Sequence, residues 1–405
     1  MRIGIFVFLH IFFIDTSIAQ NQYPIILIHG FMGWGTEEMS GYKYWGGDND
    51  FQEYLESFGH EVYTVSIGPI SSNWDRAIET YYQIKGGQVD YGKKHSNHYK
   101  IIQKPKNKNW DGLYPQWNSD NPIHIIGHSL GGQTARMLQF LLENQIYADS
   151  SNFNFEESDL LANKKLKWIR SITTISTPHN GTTLSNIVTR TLPFMEELMG
   201  LAAIIDNRVY SFDLEQWGFN RRTNESWKKY IERLRYHPAW KTKNFCAWDV
   251  SLEGARQLNT YLKANEDIYY FSFATGNTSK DKNSSNHKPN PNMSIALRPN
   301  AYIIGKSTQC WSASDCTDST WYENDGIVNT ISQLGPKSVE SRSDNIIIYD
   351  NKDDLVTGAW LFMGKYTMDH KAFMGHGNYS EEIIKIVYEV FNEHSKRLKS
   401  LPIFK

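Results

Sequence analysis

The sequence predicts an α/β fold in which helices flank a central, mostly parallel β-sheet. Short apolar runs rich in β-branched residues alternate with segments of helical spacing. Runs of this kind suit strands that are buried on both faces, and their alternation with helices is typical of a parallel sheet. The predicted strands span residues 25–28, 62–67, 123–126, 169–175 and 268–273, and a last amphipathic stretch covers 379–391.

A nucleophile motif follows the third of these runs. Residues 127–131 read Gly-His-Ser-Leu-Gly, and apolar residues at 135, 138, 141 and 142 then recur at helical spacing. A strand, a tight glycine turn and a helix around a central serine form the nucleophile elbow of α/β-hydrolases. The sequence therefore predicts the α/β-hydrolase fold, with Ser129 as its nucleophile.

A second turn completes the predicted oxyanion site. His29, Gly30 and Phe31 follow the first strand, where hydrolases of this fold place one backbone donor. We expect the backbone N–H groups of Phe31 and Leu130 to bind the negatively charged oxygen of a tetrahedral intermediate.

The remaining two catalytic residues are not determined by these patterns. The fold requires the chain order Ser, acid, His, so each residue must follow Ser129. Several histidines and aspartates satisfy that order. The histidines are His179, His237, His287, His370 and His376, and the aspartates are Asp315, Asp318, Asp325, Asp350 and Asp353.

Eight further segments keep one unbroken order along the chain: 24–34 (PIILIHGFMGW), 44–47 (YWGG), 68–75 (GPISSNWD), 89–92 (VDYG), 131–137 (GGQTARM), 176–179 (STPH), 213–218 (DLEQWG) and 323–329 (ENDGIVN). On these segments the chain resembles, from about residue 23 to residue 370, the lipases of staphylococci and thermophilic bacilli. The resemblance implies that Asp325 is the acid and His370 the catalytic histidine. It also implies carboxylic ester substrates, with triacylglycerol first among them.

The same resemblance implies a structural zinc site. Asp75, His95 and Asp249 match three ligands of the family, whereas the position of the fourth ligand is Ile101. His98 is the nearest substitute, and two His with two Asp would give a closed tetrahedral site. The family's calcium site lies near the catalytic histidine, where this chain has Ala372, Gly377 and Asn378. These residues offer little negative charge, so calcium is expected to be absent.

A helical lid is a further implication. Between Thr183 and Asn207, apolar residues fall on one stripe of a helix, and the equivalent stretch in the family covers an apolar cleft until a lipid surface uncovers it. Residues 20–405 are read as a single domain with insertions at about 74–117 and 184–260. The zinc ligands Asp75, His95 and His98 lie in the first insertion.

The N-terminus resembles a secretion signal. An Arg, an apolar stretch and the small residues Ser17 and Ala19 suggest removal of residues 1–19, without a transmembrane segment thereafter. In an oxidising compartment Cys310 and Cys316 could form a bridge, and Cys246 would be a buried free thiol. Six sequons are glycosylation candidates: Asn180, Asn224, Asn277, Asn283, Asn292 and Asn378.

Composition excludes some classes of function and leaves others open. The net charge of −2 gives no general attraction to nucleic acid or to an anionic membrane. We therefore expect a secreted, extracellular triacylglycerol lipase that acts at a lipid interface. The alternatives are a phospholipase A1, a short-chain carboxylesterase, and a catalytically silent lipid-binding protein.

Overall fold

Seven parallel strands form the central sheet of the described part of the chain. They are β1 (Ile25–Ile28), β2 (Val62–Thr64), β3 (Ile123–His128), β4 (Ile169–Ile175), β5 (Tyr269–Thr275), β6 (Ile346–Ile348) and β7 (Trp360–Tyr366). Their order across the sheet is β6-β7-β5-β4-β3-β1-β2, and every pairing is parallel. The predicted α/β fold with a parallel sheet is confirmed.

The structure is a computed structural model that describes most of the chain. The described residues are 20–36, 38–39, 41–146, 158–184, 215–217, 224–226, 229, 232–233, 242–312, 315–337, 346–350, 354–377 and 379–404. The predicted signal segment 1–19 lies outside them. Of the predicted lid between Thr183 and Asn207, all but the first two residues also lie outside them.

Nine helices accompany the sheet in the described residues. They are α1 (Phe51–Glu56), α2 (Asn73–Lys85), α3 (Lys93–Tyr99), α4 (Leu130–Glu143), α5 (Asp159–Ala162), α6 (Cys246–Asp249), α7 (Leu252–Tyr261), α8 (Arg298–Ile304) and α9 (Glu381–Ser400). Short 3₁₀ turns span Glu215–Trp217, Ile295–Leu297, Ser319–Trp321, Thr330–Gln333 and Ala372–Met374. Two-stranded ribbons pair Gly87–Gln88 with Asn109–Trp110, Thr278–Lys280 with His287–Pro289, and Cys310–Ser312 with Asp315–Cys316. Among the helices described, none is long and apolar enough to cross a membrane.

The two faces of the sheet are covered by different helices. In β1, Ile26 and Ile28 pack with residues of α2, α4 and α7, whereas Ile25 and Leu27 pack with residues of α1 and α9. Alternate residues of a strand point to opposite faces, so an all-apolar strand needs a helical layer on each side. This double cover explains why the run 25–28 is apolar throughout.

Residues of the predicted insertion 74–117 belong to the apolar core that contains Ile26 and Ile28. Ile78 of α2, Val89 and Trp117 are buried in the same cluster as Ile123 and Ile125 of β3. Residues 242–261 contribute α6 and α7 on the same side of the sheet. The division into one domain with two insertions stays a prediction.

The structure also places the three cysteines. Cys310 and Cys316 are joined by a disulfide across a short hairpin, and Cys246 is a buried free thiol. Burial raises the pKa of the Cys246 thiol to about 12, so this side chain is unreactive at neutral pH.

Removal of the disulfide has a predictable effect on stability. For the Cys310→Ser/Cys316→Ser variant we expect the free energy of unfolding to fall by about 2 kcal/mol, because a short loop is no longer closed in the unfolded chain. Urea unfolding of the variant against the oxidised wild-type protein measures this difference. The wild-type protein unfolded in the presence of a reducing agent is the control, because both cysteines then remain and only the bond is lost. Equal stability of the reduced and the oxidised protein would contradict the expected contribution of the disulfide.

Candidate active site

Ser129 lies in a sharp turn between β3 and α4. Its φ angle is +55°, and its N–H donates to the carbonyl of Ile175 on β4 (2.8 Å). A side chain at Gly127 would place its Cβ 2.5 Å from the backbone of Gly131, and one at Gly131 would lie 2.2 Å from the carbonyl oxygen of Ile28. The turn is therefore possible only with glycine on both sides of the serine.

The structure brings Ser129, His370 and Asp325 into one hydrogen-bonded chain. Nε2 of His370 lies 3.0 Å from Oγ of Ser129, and Nδ1 of His370 lies 2.8 Å from Oδ2 of Asp325. In the neutral enzyme the serine hydroxyl donates to Nε2 and the Nδ1–H donates to the carboxylate. The backbone N–H of His370 also donates to the carbonyl of Asp325 (3.0 Å), so both ends of the pair are fixed.

The carboxylate of Asp325 is buried and surrounded by donors. Its Oδ1 accepts the backbone N–H groups of Ile327 (3.0 Å) and Val328 (2.8 Å). Its Oδ2 accepts the Thr275 hydroxyl (2.7 Å) and the Gln333 amide (3.1 Å) besides the imidazole. These bonds stabilise the ionised carboxylate away from water and aim one oxygen at His370.

The turn that carries Phe31 passes directly over Ser129. A Cβ added at Gly30 would lie 2.8 Å from the Cβ of Ser129, so the two backbones are in contact. Leu130 is the first residue of α4, and the first N–H groups of a helix have no partner within the helix. Gly30 and Leu130 therefore lie next to the nucleophile, and the N–H groups of Phe31 and Leu130 stay the predicted oxyanion donors.

Buried polar groups hold this turn. The N–H of Met32 donates to the carbonyl of Pro69 (2.9 Å), and Nε2 of His29 accepts the N–H of Ile67 (3.2 Å). Burial, aided by the charge of Arg76, lowers the pKa of His29 to about 3, so its ring is neutral. The neutral ring donates from Nδ1 to the carbonyl of Gly30 (2.9 Å).

The guanidinium of Arg76 is fully buried beneath the turn. It donates to the carbonyl of His29, to the carbonyl of Gly68 (2.7 Å) and to the hydroxyl of Thr134 (3.0 Å). Glu79, whose carboxylate accepts the N–H of Gly68 (2.6 Å), holds the other side of the same loop.

An Arg76→Met variant should be less stable and less active. We expect the free energy of unfolding to fall by about 2–4 kcal/mol, because two buried carbonyls lose their donor. We also expect kcat for ester hydrolysis to fall, because the turn over Ser129 loses its support. Urea unfolding and steady-state kinetics measure the two effects, and an unchanged kcat in the folded variant would contradict the positioning of this turn by Arg76.

The other histidine and aspartate candidates have different environments. His179 is buried beside Thr174, His287 lies in a surface ribbon, and His376 stacks on Trp34. Asp315 pairs with Arg256, Asp318 caps a 3₁₀ turn, and Asp350 is exposed. His237 and Asp353 lie outside the described residues.

The predicted zinc ligands do not form a closed set. Oδ1 of Asp75 lies 2.7 Å from Nε2 of His95, and Oδ2 of Asp75 accepts the amide of Asn244 (2.8 Å). Asp249 accepts the N–H of Asn73 (2.5 Å), and burial, opposed by that hydrogen bond and reinforced by Asp75, raises the pKa of Asp249 to about 7.

His98 is exposed and packs against Tyr99, whose ring also contacts His95. Within the part of the chain that the structure describes, no three His, Cys, Asp or Glu side chains are arranged to hold a metal ion. The four residues as placed therefore do not fit zinc, and zinc binding stays a prediction for metal analysis of the purified protein. The expected absence of calcium near Ala372 likewise stays a prediction.

Sequence reasoning missed several supporting residues of the site. Thr275 and Gln333 orient Asp325, and Tyr44 and His128 contact the turn and the histidine. Thr275 could have been found, because it lies two residues beyond the predicted strand 268–273, at the edge where catalytic residues of parallel sheets collect. Gln333 lies in a 3₁₀ turn that has no periodic signal.

A parallel sheet with an elbow serine, and an Asp and a His after the later strands, defines the α/β-hydrolase class. Within that class the chain belongs to the family described as lipase-like, C-terminal domain, whose model matches residues 21–389. The resemblance to staphylococcal lipases is confirmed. Lipase 1 of Staphylococcus aureus strain MRSA252 is 34% identical over 367 residues, which cover 88% of this chain. The alignment covers 51% of that lipase, so this chain spans about half the length of the staphylococcal relatives it matches.

Solved structures of similar proteins agree over almost the whole chain. EstA from Clostridium botulinum is 36% identical with a TM-score of 0.85, covering 96% of this chain and 90% of its own. Lipase 1 from Pelosinus fermentans is 38% identical with a TM-score of 0.79, covering 94% and 99%. Staphylococcus hyicus lipase is 29% identical with a TM-score of 0.81, covering 95% and 97%.

Proposed function

We propose that this chain is a secreted carboxylic ester hydrolase that cleaves long-chain lipid esters, with triacylglycerol as the leading substrate. The observation that carries the proposal is the hydrogen-bonded chain Ser129–His370–Asp325 at the carboxyl ends of β3, β5 and β7. Membership of the lipase-like family supports it.

In this proposal acyl transfer begins at Ser129. Its Oγ attacks the ester carbonyl while Nε2 of His370 accepts the hydroxyl proton. Asp325 keeps the other ring nitrogen protonated and stabilises the positive charge that the imidazole gains. The backbone N–H groups of Phe31 and Leu130 bind the oxyanion, aided by the N-terminal end of α4.

Collapse of the intermediate expels the alcohol, which takes the proton from His370 and leaves an acyl group on Ser129. Water then attacks this acyl-enzyme, with His370 again accepting a proton and returning it to Ser129. The carboxylic acid leaves, and the enzyme regains its starting state.

Secretion, which is part of this proposal, bears on which sequons can be glycosylated. A secreted protein would expose its sequons to glycosylation, and the side chains of Asn224, Asn283 and Asn292 are exposed. Asn180 and Asn277 are buried and hydrogen-bonded, which makes them poor acceptors in the folded protein. Asn378 lies outside the described residues.

Hydrolysis of emulsified triolein, compared with monomeric p-nitrophenyl butyrate, tests the proposed substrate. We expect the rate on triolein to rise steeply above its solubility limit, because a lid is opened favourably only where lipid covers the exposed apolar surface. Activity on the soluble ester alone would indicate a carboxylesterase, and preferential release of one fatty acid from a phospholipid would indicate a phospholipase A1.

A Ser129→Ala variant is the control for both substrates, with its fold checked by circular dichroism. Failure of the wild-type protein to hydrolyse any ester or to react with a fluorophosphonate would favour the silent lipid-binding protein.

A further inference from the structure

Three hydrogen bonds join the turn that carries Phe31 to the backbone of His370. The N–H of Gly30 donates to the hydroxyl oxygen of Tyr44 (2.9 Å), and that hydroxyl lies 2.6 Å from Nδ1 of His128. Nε2 of His128 then lies 3.2 Å from the carbonyl oxygen of His370. We name this set, Gly30–Tyr44–His128–His370, the support chain.

Only one arrangement of protons satisfies the support chain. The carbonyl oxygen of His370 can only accept, so Nε2 of His128 carries a proton and donates to it. In the neutral ring Nδ1 then has no proton and accepts from the hydroxyl of Tyr44, whose oxygen accepts the N–H of Gly30. Every donor in the chain then has an acceptor, and His128 is neutral.

Burial preserves this state. The side chains of Tyr44 and His128 are both buried, and burial lowers the pKa of His128 well below its ordinary value while it raises the pKa of Tyr44. The rings of His128 and His370 have centroids 4.7 Å apart. A neutral neighbour at that distance does not oppose the positive charge that His370 gains during acyl transfer.

Each end of the support chain touches one half of the proposed machinery. Gly30 lies against Ser129 and directly precedes the oxyanion donor of Phe31. The carbonyl of His370 is held by His128, whereas its N–H is held by Asp325. A displacement of about 1 Å between such groups can reduce a catalytic rate about 10²-fold.

We propose that Tyr44 and His128 are positioning residues that fix the oxyanion turn and His370 relative to each other. The inference rests on the proposed ester hydrolysis and adds two residues to it. Neither residue contacts the substrate carbon in this role, so both act on the rate of the chemical step and leave substrate binding unchanged.

The decisive variant is Tyr44→Phe, which removes one oxygen and keeps the ring. With p-nitrophenyl butyrate we expect kcat to fall by about 10–100-fold, because the oxyanion turn and His370 lose their common support. KM should stay within about twofold of the wild-type value, because the variant removes no interaction that binds the substrate equally in the ground state and in the transition state.

Tyr270 provides a matched control. Its buried hydroxyl also accepts a backbone N–H, from Asn265 (2.7 Å), and donates to a side chain, Gln139 (2.8 Å). Tyr270, however, lies at the amino end of its strand, β5, whereas the candidate site lies at the carboxyl ends of the strands. Tyr270→Phe therefore removes the same number of hydrogen bonds without touching the site. We expect a similar loss of stability in urea unfolding and no loss of kcat.

Substitutions of His128 supply a second, independent measurement. Gln has an acceptor for Tyr44 and a donor for the carbonyl of His370, whereas Leu has neither. We expect His128→Gln to keep at least about tenfold more kcat than His128→Leu when both are folded, an effect of the size reported for supporting hydrogen-bond partners.

The outcomes separate this inference from the proposed function. An active wild-type protein with unchanged kcat in Tyr44→Phe, or with equal loss in Tyr44→Phe and Tyr270→Phe, would overturn the inference alone. A wild-type protein that neither hydrolyses the ester nor is labelled at Ser129 by a fluorophosphonate would overturn the proposed function and the inference together.

Discussion

Replacing Asp325 by Asn is expected to lower kcat for ester hydrolysis by about 10⁴-fold. The carboxylate accepts the Nδ1–H of His370, and this bond keeps Nε2 free to take the proton of Ser129. An amide NH₂ at the same place would donate to Nδ1 and move the ring proton to Nε2, where it faces the serine. The fold should survive, because Asn has the same shape and retains one oxygen for the N–H groups around Oδ1. The Thr275 hydroxyl and the Gln333 amide, which donate to Oδ2 in the wild-type protein, can each turn an oxygen towards the new NH₂.

Asp318→Asn is the control for the loss of a negative charge in the same loop. Asp318 is exposed and caps the turn Ser319–Trp321, so its replacement should change kcat by less than about threefold. Steady-state kinetics with p-nitrophenyl butyrate and circular dichroism are the measurements. A folded Asp325→Asn variant that retains a tenth of the wild-type kcat would exclude Asp325 as the triad acid.

Most of the strands that sequence patterns predict have an apolar layer on both faces. The exception is the run 62–67, which corresponds to the edge strand β2 and ends already at Thr64. Residues 123–126 and 169–175 correspond to β3 and β4, whose residues are all buried. Strand β6 was missed because it is a three-residue edge strand with Ile348 79% exposed. Strand β7 was missed because Gly364 and Lys365 interrupt its pattern, at the point where its register with β5 shifts.

The nucleophile could be predicted from the sequence because its determinants are local. The two glycines, the strand and the helix all lie within a few residues of Ser129. The acid and the histidine could not be chosen from the residues alone, since His370 is 241 residues after Ser129 and 45 after Asp325. Only the order of strands in the sheet, with β5 and β7 adjacent, brings those two loops together.

One predicted zinc ligand, His98, has no exact counterpart in the family's ligand set, and zinc binding stays a prediction. The position of the family's fourth ligand is Ile101, a buried apolar residue, and His98 lies on the exposed side of α3. Helix α3 ends at Tyr99, and Lys100 has the left-handed conformation, which turns the chain after His98. Position 101 therefore lies beyond the end of the helix that carries His98, so the two side chains are not placed equivalently.

A second large effect is expected from pH, because five histidines in the described part of the chain are fully buried. Burial lowers the pKa of His29 and of His124 to about 3, and it lowers the pKa of His128, His179 and His394 well below the ordinary value. Their neutral rings hold hydrogen bonds; His124, for example, pairs with Ser171 (2.7 Å) and Asn21 (3.0 Å).

In the unfolded chain these histidines take up protons near pH 6.5, whereas in the folded protein they do not. Their stabilisation is therefore complete above pH 6.5 and is lost as the pH falls from 6.5 towards 3. His29 and His124, whose pKa falls to about 3, each contribute a slope of about 1.4 kcal/mol per pH unit, or about 2 kcal/mol lost at pH 5. The other three histidines act in the same direction. Asp249, with its pKa raised to about 7, has the opposite effect and offsets about one histidine.

We therefore expect the free energy of unfolding to fall by several kcal/mol between pH 6.5 and pH 4.5, about 2 kcal/mol or more of it by pH 5. Urea unfolding at half-unit steps of pH measures the slope. A His124→Gln variant keeps a neutral polar side chain and should reduce the slope by about 1.4 kcal/mol per pH unit. His98→Gln, at an exposed position, should leave the slope unchanged. A wild-type slope near zero below pH 6.5 would show that the buried histidines are protonated in the folded protein, and the hydrogen bonds that fix His29 and His128 as neutral rings would then have to be reassigned.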